Sequence, residues 1–165
     1  MATEHCYVKF ARTSAGDMGR LLAAVEALKA EKKGPTARDD AAWRALFTLD
    51  QLKSFWWPSP EEREAWNRFW FSTPLPKRHS PEMPLPPWDF ASMIDAILEG
   101  EYELVGIRNL DATECLLQFD PEAYPFGGTG SLQALIRAFG FEVLGVDDGT
   151  GYKAGDFRPP LWSAI

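Results

Sequence analysis

A proline-rich segment divides this chain more sharply than any other feature of its sequence. Six of the 13 prolines fall between Ser72 and Trp88. Proline lacks a backbone N–H donor and biases the preceding residue toward an extended conformation, so this segment is predicted to be an extended connection. Leu75, Met83 and Leu85 alternate with the prolines. Free linkers rarely carry such residues, and the segment is therefore predicted to be a strap that lies on the protein surface.

The strap separates two parts of one predicted domain, residues 1–165. A chain of 165 residues has the size of one ordinary domain. Residues 1–71 are predicted to form a strand followed by a helical, aromatic-rich part, 72–88 the strap, and 89–165 an α-ββαβ unit with an irregular acidic tail. The predicted class is α+β, with at least four helices and one mostly antiparallel sheet.

The N-terminal part shows one strand pattern and several helix starts. Cys6, Val8 and Phe10 alternate with polar neighbours, which predicts a strand with these three side chains on one face. Side chains that accept a hydrogen bond from the first helical turn mark helix starts. Four starts are predicted, at Ser14, Thr36, Thr48 and Ser59, and Gly34 is predicted to end the first helix.

The C-terminal part alternates between helix and strand periods. A helix with an apolar face from Phe90 to Ile97 ends at Gly100 and precedes two strands, 102–108 and 113–119, that a four-residue turn joins into a hairpin. The side chains predicted to share one face of the second strand are Cys115, Leu117 and Phe119. A further helix carries Leu132, Leu135, Ile136 and Phe139 at helical spacing and is followed by a strand at 141–146. The chain from Asp147 onward is predicted to be irregular.

The charge is uneven along the chain. The net charge is −7, but residues 95–165 carry 12 acidic and 4 basic side chains, a balance of −8. An acidic half repels nucleic-acid phosphates and attracts a basic protein surface. The sequence contains no run of 18 apolar residues, so no membrane span is predicted. The first residues show no signal peptide, and two cysteines do not make a disulfide framework, so we expect a cytoplasmic location.

Residues that could carry chemistry do not form a known pattern. The two histidines and two cysteines lack zinc spacing, and Cys115 is predicted to be buried and inert. Asp147 and Asp148 directly follow the last predicted strand, but the spacing of the residues from Asp147 onward does not match a calcium loop. No hydrolase, kinase, P-loop or Rossmann signature is intact. We therefore expect no catalytic residues, no metal and no cofactor.

One glycine-rich loop is compatible with ligand binding. Gly127, Gly128, Thr129, Gly130 and Ser131 run into the start of a predicted helix, where free N–H groups can hold an anion. The competing interpretation is structural: Thr129 or Ser131 caps the helix and the glycines form a tight turn.

An aromatic stretch supplies the candidate partner-binding residues. Adjacent rings on a helix point about 100° apart, so one buried face cannot hide them all. The side chains assigned to partner contact are Phe55, Trp56, Trp57, Trp70 and Phe71. The competing interpretation is that these rings pack in the core and under the strap.

These features favour a non-catalytic protein-binding module, such as an adaptor, an inhibitor or an immunity-type protein. The aromatic surplus, the acidic half and the lack of a catalytic motif support this hypothesis. The alternative is a small-ligand or anion-binding protein, or a degenerate enzyme, that uses the loop from Gly127 to Ser131.

Overall fold

A computed structural model describes residues 4–163, and its strands form one antiparallel sheet. The strands are β1 Cys6–Ala11, β2 Tyr102–Asn109, β3 Glu114–Pro121, β4 Glu142–Asp147 and β5 Tyr152–Ala154. The helices are α1 Met18–Lys33, α2 Asp40–Arg44, α3 Leu49–Leu52, α4 Pro60–Ser72, α5 Leu75–Arg78, α6 Phe90–Glu99 and α7 Gly130–Ala138. The predicted α+β class and the predicted β2–β3 hairpin are confirmed.

The sheet has the strand order β2-β3-β1-β4-β5, with every pair antiparallel. Because β3 lies between β1 and β2 and is antiparallel to both, β1 and β2 run in the same direction. The connectivity β1-α1-β2-β3-α7-β4 is that of the split β-α-β arrangement in ferredoxin-like folds. Residues 34–89, here called the insertion, enlarge the first crossover between α1 and α6.

The main core lies between one face of the sheet and a helix layer. Helix α1 packs on β2, α6 lies against α1 and α7, and α7 contacts β1 and β4. The predicted inward face of β3 is confirmed, since Cys115, Leu117 and Phe119 are fully buried. Leu116 and Gln118, on the opposite face, are also buried. Strand β3 has a neighbouring strand on each side. A central strand is more shielded from solvent than an edge strand, so residues on both faces of β3 are buried, although the sequence pattern predicts only one buried face.

Two predicted helix starts are wrong by three residues. Helix α1 is capped by Asp17, which accepts a hydrogen bond from the Arg20 N–H, and not by Ser14. Helix α2 is capped by Asp39 and not by Thr36. In each case an aspartate stood nearer the apolar face, and an ionised carboxylate is a stronger acceptor for the first-turn N–H groups than a hydroxyl.

Thr36 has a different role, because it holds the buried carboxylate of Glu31. Its hydroxyl and its backbone N–H donate hydrogen bonds to Glu31 at 2.7 and 2.9 Å. These hydrogen bonds lower the pKa of Glu31, so the carboxylate stays ionised to a lower pH than a free glutamate does. The chain after α1 is thereby turned back onto the helix.

The two later helix starts are confirmed as capping boxes. Thr48 and Gln51 exchange side-chain and backbone hydrogen bonds at α3, and Ser59 and Glu62 do the same at α4. Helix α4 also has a proline in its first turn, where the missing N–H costs nothing. These starts were predictable because all their partners lie within four residues.

The segment 72–88 is not extended throughout. Helix α5 interrupts it, with Pro76 in the first turn, a position that proline tolerates. Met83 is buried, and Leu85 forms a parallel bridge with Leu161 near the end of the chain. The segment therefore lies on the protein and contacts the C-terminal residues.

The chain after Asp147 contains a strand that was not predicted. Strand β5 pairs with the edge of β4, and the Tyr152 ring lies on Gly145, which has no side chain to obstruct it. Three residues are too few to produce a period-2 pattern, so β5 depends on this contact. No helix within residues 4–163 is long and apolar enough to cross a membrane.

Candidate partner-binding surface

The first residue of the aromatic stretch belongs to the main core. Phe55 is 5% exposed and meets Phe47 and Phe90 edge-to-face, with ring centroids 5.8 and 5.2 Å apart. Its assignment to partner contact is corrected on this geometry, because a ring enclosed by two others has no surface to offer. The number of aromatic residues in the stretch did not distinguish Phe55, which is buried, from the aromatic residues beside it.

Trp57 is fixed on one side and open on the other. Its ring stacks on Phe90 at 5.9 Å with an interplanar angle of 18°, and the Arg44 guanidinium lies 4.7 Å from the ring centroid. The indole N–H donates to the Leu52 carbonyl at 2.8 Å. The side chain is nevertheless 44% exposed. Trp57 is thus a large surface ring whose orientation is already determined.

A second set of rings forms a separate cluster, here called the tryptophan cluster. Its members are Trp56, Trp66, Phe69 and Trp162. Trp162 contacts the other three, with centroid distances of 6.4 Å to Trp56, 5.2 Å to Trp66 and 6.2 Å to Phe69. All four are only partly buried. The cluster holds α4 to the C-terminal residues and lies outside the main core.

Two apolar side chains are exposed where α4 ends and α5 begins. Phe71, near the end of α4, is 74% exposed, and Leu75, the first residue of α5, is 62% exposed. The Arg78 guanidinium lies 5.4 Å from the Trp70 ring and 5.8 Å from the Phe71 ring, and it donates to the Phe71 carbonyl at 3.2 Å. Trp70 is half-buried against Trp66.

Exposed apolar side chains occur both in the insertion and elsewhere on the protein. Among residues 4–163, eleven large apolar side chains are exposed. Five of them lie between residues 34 and 89, namely Leu49, Trp57, Phe71, Leu75 and Trp88. Single exposed apolar residues are normal on a surface, so the orientation and contacts of these side chains carry more weight than their number.

The glycine-rich loop is partly occupied by its own chain. Ser131 is buried, and the Thr129 hydroxyl accepts a hydrogen bond from the Gln133 side-chain amide at 2.9 Å. Thr129 is the N-cap residue of α7, but neither it nor Ser131 caps the helix through its side chain. The Trp88 indole lies against Gly130, 3.4 Å from where a Cβ would stand. Of the five residues assigned to ligand binding, only Gly127, Gly128 and Gly130 are well exposed.

A chain of polar contacts runs along α7 to the C-terminal residues. Arg137 donates to the Gln133 side-chain oxygen Oε1 at 3.1 Å and forms an ion pair with Asp156. Asp156 also accepts from Arg158 at 2.8 Å. Burial lowers the pKa of Arg137, although the nearby carboxylate of Asp156 opposes this effect. These contacts attach the chain beyond β5 to the side of α7.

Acidic residues gather at the end of the sheet where β1 begins and β3 and β4 finish. Glu103 and Asp120 are direct neighbours across β2 and β3, and Asp120 is 2.7 Å from the His5 ring nitrogen Nδ1. Asp147 lies opposite Tyr7 on β1, and Asp148 follows it. The excess negative charge of residues 95–165 therefore includes a local cluster.

The thiols lie in different environments, and both are free. Cys115 is fully buried, with its Sγ 3.2 Å from the Asn109 side-chain oxygen. Cys6 is half-buried near Tyr124; burial raises the pKa of the Cys6 thiol, and the carboxylates of Asp147 and Asp120 raise it further. Within residues 4–163, no three His, Cys, Asp or Glu side chains lie close enough to hold a metal ion.

We expect Cys115 to be unreactive in the native protein. A maleimide should label Cys6 in the Cys115→Ser variant slowly at neutral pH and faster as the pH rises, because the thiolate is the nucleophile and its pKa is raised. The Cys6→Ser variant, which retains only Cys115, should stay unlabelled until denaturant is added. Intact-mass spectrometry measures both. Native labelling of Cys115 at the denatured rate would contradict its position in the core.

Comparison of the chain with models of known protein families, with curated proteins and with solved structures gave no match. The function is therefore inferred from the surface geometry of the chain itself.

Proposed function

We propose that this chain is a non-catalytic protein-binding module whose partner contacts the exposed rings and apolar side chains of the insertion. The observation that carries the proposal is the exposure of Phe71, Leu75 and Trp57, three large apolar side chains of the insertion that a partner would cover. Aromatic side chains of this kind supply most of the binding energy in protein interfaces.

The local contacts of these rings favour binding. Trp57 is held by Phe90, Arg44 and the Leu52 carbonyl, so little side-chain entropy remains to be lost when a partner covers it. Phe71 lies beside Arg78, which adds a cation that can pair with a partner carboxylate. Such pre-ordered anchors bind more tightly than mobile ones of the same area.

The charge distribution supports a partner with a basic surface. The acidic cluster around Asp120, Asp147 and Glu103 attracts positive charge and repels nucleic-acid phosphates. We infer that this attraction speeds association more than it strengthens the final complex. The two free thiols suit a reducing compartment, and we propose that the module acts in the cytoplasm.

Affinity capture with matched variants tests the proposal. The tagged wild-type chain, Phe71→Ala and Leu110→Ala are each exposed to native lysate, and bound proteins are identified by mass spectrometry. Leu110, 45% exposed in the β2–β3 turn, is the control for loss of an exposed apolar side chain elsewhere. A protein retained by the wild type and by Leu110→Ala but lost by Phe71→Ala supports the proposal. Identical capture profiles for all three chains contradict it.

With such a partner in hand, Trp57→Ala is expected to raise the dissociation rate, because buried aromatic anchors act mainly on this rate. Added salt should mostly slow association, since the Debye length falls to about 3 Å at 1 M ionic strength. Surface plasmon resonance measures both rates. If Trp57→Ala lowers only the melting temperature, the ring serves to cover Phe90. If added salt does not change the association rate, the acidic cluster does not contribute to binding.

A further inference from the structure

The C-terminal residues cross from the sheet to the insertion as an extended segment. After β5, the Gly155 N–H donates to the Leu144 carbonyl at 2.9 Å, and the chain then leaves the sheet. Residues 155–163 are here called the tail. At Leu85 the tail forms a short parallel pairing: the Leu85 N–H donates to the Pro160 carbonyl and the Trp162 N–H donates to the Leu85 carbonyl, both at 2.9 Å.

The tail places one side chain in an aromatic pocket. Trp162 meets Trp66 and Trp56 nearly edge-to-face, at interplanar angles of 70° and 82°, and it also contacts Phe69. The remaining tail residues from Gly155 to Leu161 are all exposed. Backbone pairing around one residue and one anchored side chain are the features by which proteins bind short extended peptides.

We propose that the groove formed by Trp56, Trp66, Phe69 and the Leu85 backbone is a peptide-binding site, and that the tail is its exchangeable intramolecular ligand. The ligand class is an extended segment of the form Pro-Pro-apolar-Trp, as in Pro159-Pro160-Leu161-Trp162. The proposal goes beyond the proposed function, because the groove is a second binding site in the insertion that does not include Trp57, Phe71 or Leu75.

The chemistry of this segment fits an extended groove. Two successive prolines hold the backbone extended before binding, which lowers the entropy lost on docking. The tryptophan then fills the pocket, and backbone hydrogen bonds at Leu85 set the direction and register of the segment.

The attachment of the tail favours exchange. Besides Trp162, the tail is joined to the rest of the fold by the ion pair of Asp156 with Arg137, since Arg158 pairs with Asp156 within the tail itself. This ion pair lies beside α7 and not at the groove, so Trp162 can leave the groove without breaking it. The four rings of the tryptophan cluster lie outside the main core, so the tail can leave the groove while the sheet and the helix layer stay folded.

Peptide binding to the full-length chain tests the proposal. A fluorescein-labelled peptide of residues 155–163 is titrated with wild-type protein and with full-length Trp162→Ala, and fluorescence anisotropy is measured. The peptide should bind Trp162→Ala at least about tenfold more tightly, because the competing tail has lost its anchor and the groove is open in a larger fraction of molecules. A peptide with alanine at the position of Trp162 should not bind.

Variants on one helix identify the groove. Adding Trp66→Ala to Trp162→Ala should abolish peptide binding, whereas adding Glu64→Ala should leave it unchanged, since Glu64 is exposed on the same helix and pairs with Arg68. Equal affinity of the peptide for the wild type and Trp162→Ala, or binding that survives loss of Trp66, overturns the proposal.

A measurement on the unmodified protein covers the case in which Trp162→Ala does not fold. When excess unlabelled peptide is added to ¹⁵N-labelled wild-type protein, the indole N–H signal of Trp162 should move toward its position in a disordered peptide. An unmoved signal at saturating peptide overturns the exchange. If Phe71→Ala nevertheless loses a captured protein, the proposed function is still supported. If the peptide exchanges but Phe71→Ala captures the same proteins as the wild type, the groove is the binding site and Phe71 has no role in binding.

Discussion

Replacing Phe139 with alanine is expected to lower the free energy of unfolding by about 3–5 kcal/mol. Phe139 is 1% exposed at the end of α7, and its ring stacks on Phe47 with a centroid distance of 4.6 Å. The substitution leaves a cavity between the helix layer and the insertion. Leu135→Ala, one turn earlier at a fully buried position, is expected to cost about 2–5 kcal/mol for the same reason.

Urea denaturation followed by circular dichroism measures these losses. Leu110→Ala is the matched control, because an exposed leucine in a turn should change stability by less than about 0.5 kcal/mol. Losses below about 1 kcal/mol for both Phe139→Ala and Leu135→Ala would mean that α7 does not cover the core.

The second large effect is expected at Gly140, where both the backbone conformation and the space require glycine. Its φ is +91°, and an added Cβ would lie 2.5 Å from the Ala15 carbonyl oxygen. The Gly140 carbonyl accepts a hydrogen bond from Thr13, and the neighbouring Phe139 carbonyl accepts one from the Asp17 N–H at 2.9 Å. Gly140→Ala therefore forces the end of α7 away from the β1–α1 connection, at a cost of at least about 3 kcal/mol.

Gly151→Ala separates the two causes. Gly151 has a similar φ of +106°, but no atom lies within 4 Å of the position of an added Cβ. Gly151→Ala should lower the free energy of unfolding only by the cost of placing alanine in a left-handed backbone conformation, about 1–2 kcal/mol. Equal losses at the two positions in urea denaturation would show that backbone conformation, and not contact with Ala15, explains the effect at Gly140.

The candidate surface was only partly predictable from the sequence. Adjacent rings at Trp56 and Trp57 indicate that some aromatic side chains must leave a buried face. The pattern does not say which, because that depends on residues distant along the chain. Phe55 is buried by Phe90, 35 positions later, and Trp56 is covered by Trp162. Trp162 had no neighbouring apolar pattern that would have assigned it to this cluster.

The sequence by itself determined the elements whose signals are local. The capping boxes at Thr48 and Ser59, the apolar stripe of α7 and the β2–β3 hairpin each depend on residues a few positions apart, so propensity and periodicity were sufficient. Tertiary structure alone decided the pairing of β5 with β4, the burial of Leu116 and the seating of Trp162 against α4. These features depend on contacts between residues far apart in the chain, and no short pattern in the sequence records which distant side chains will be neighbours.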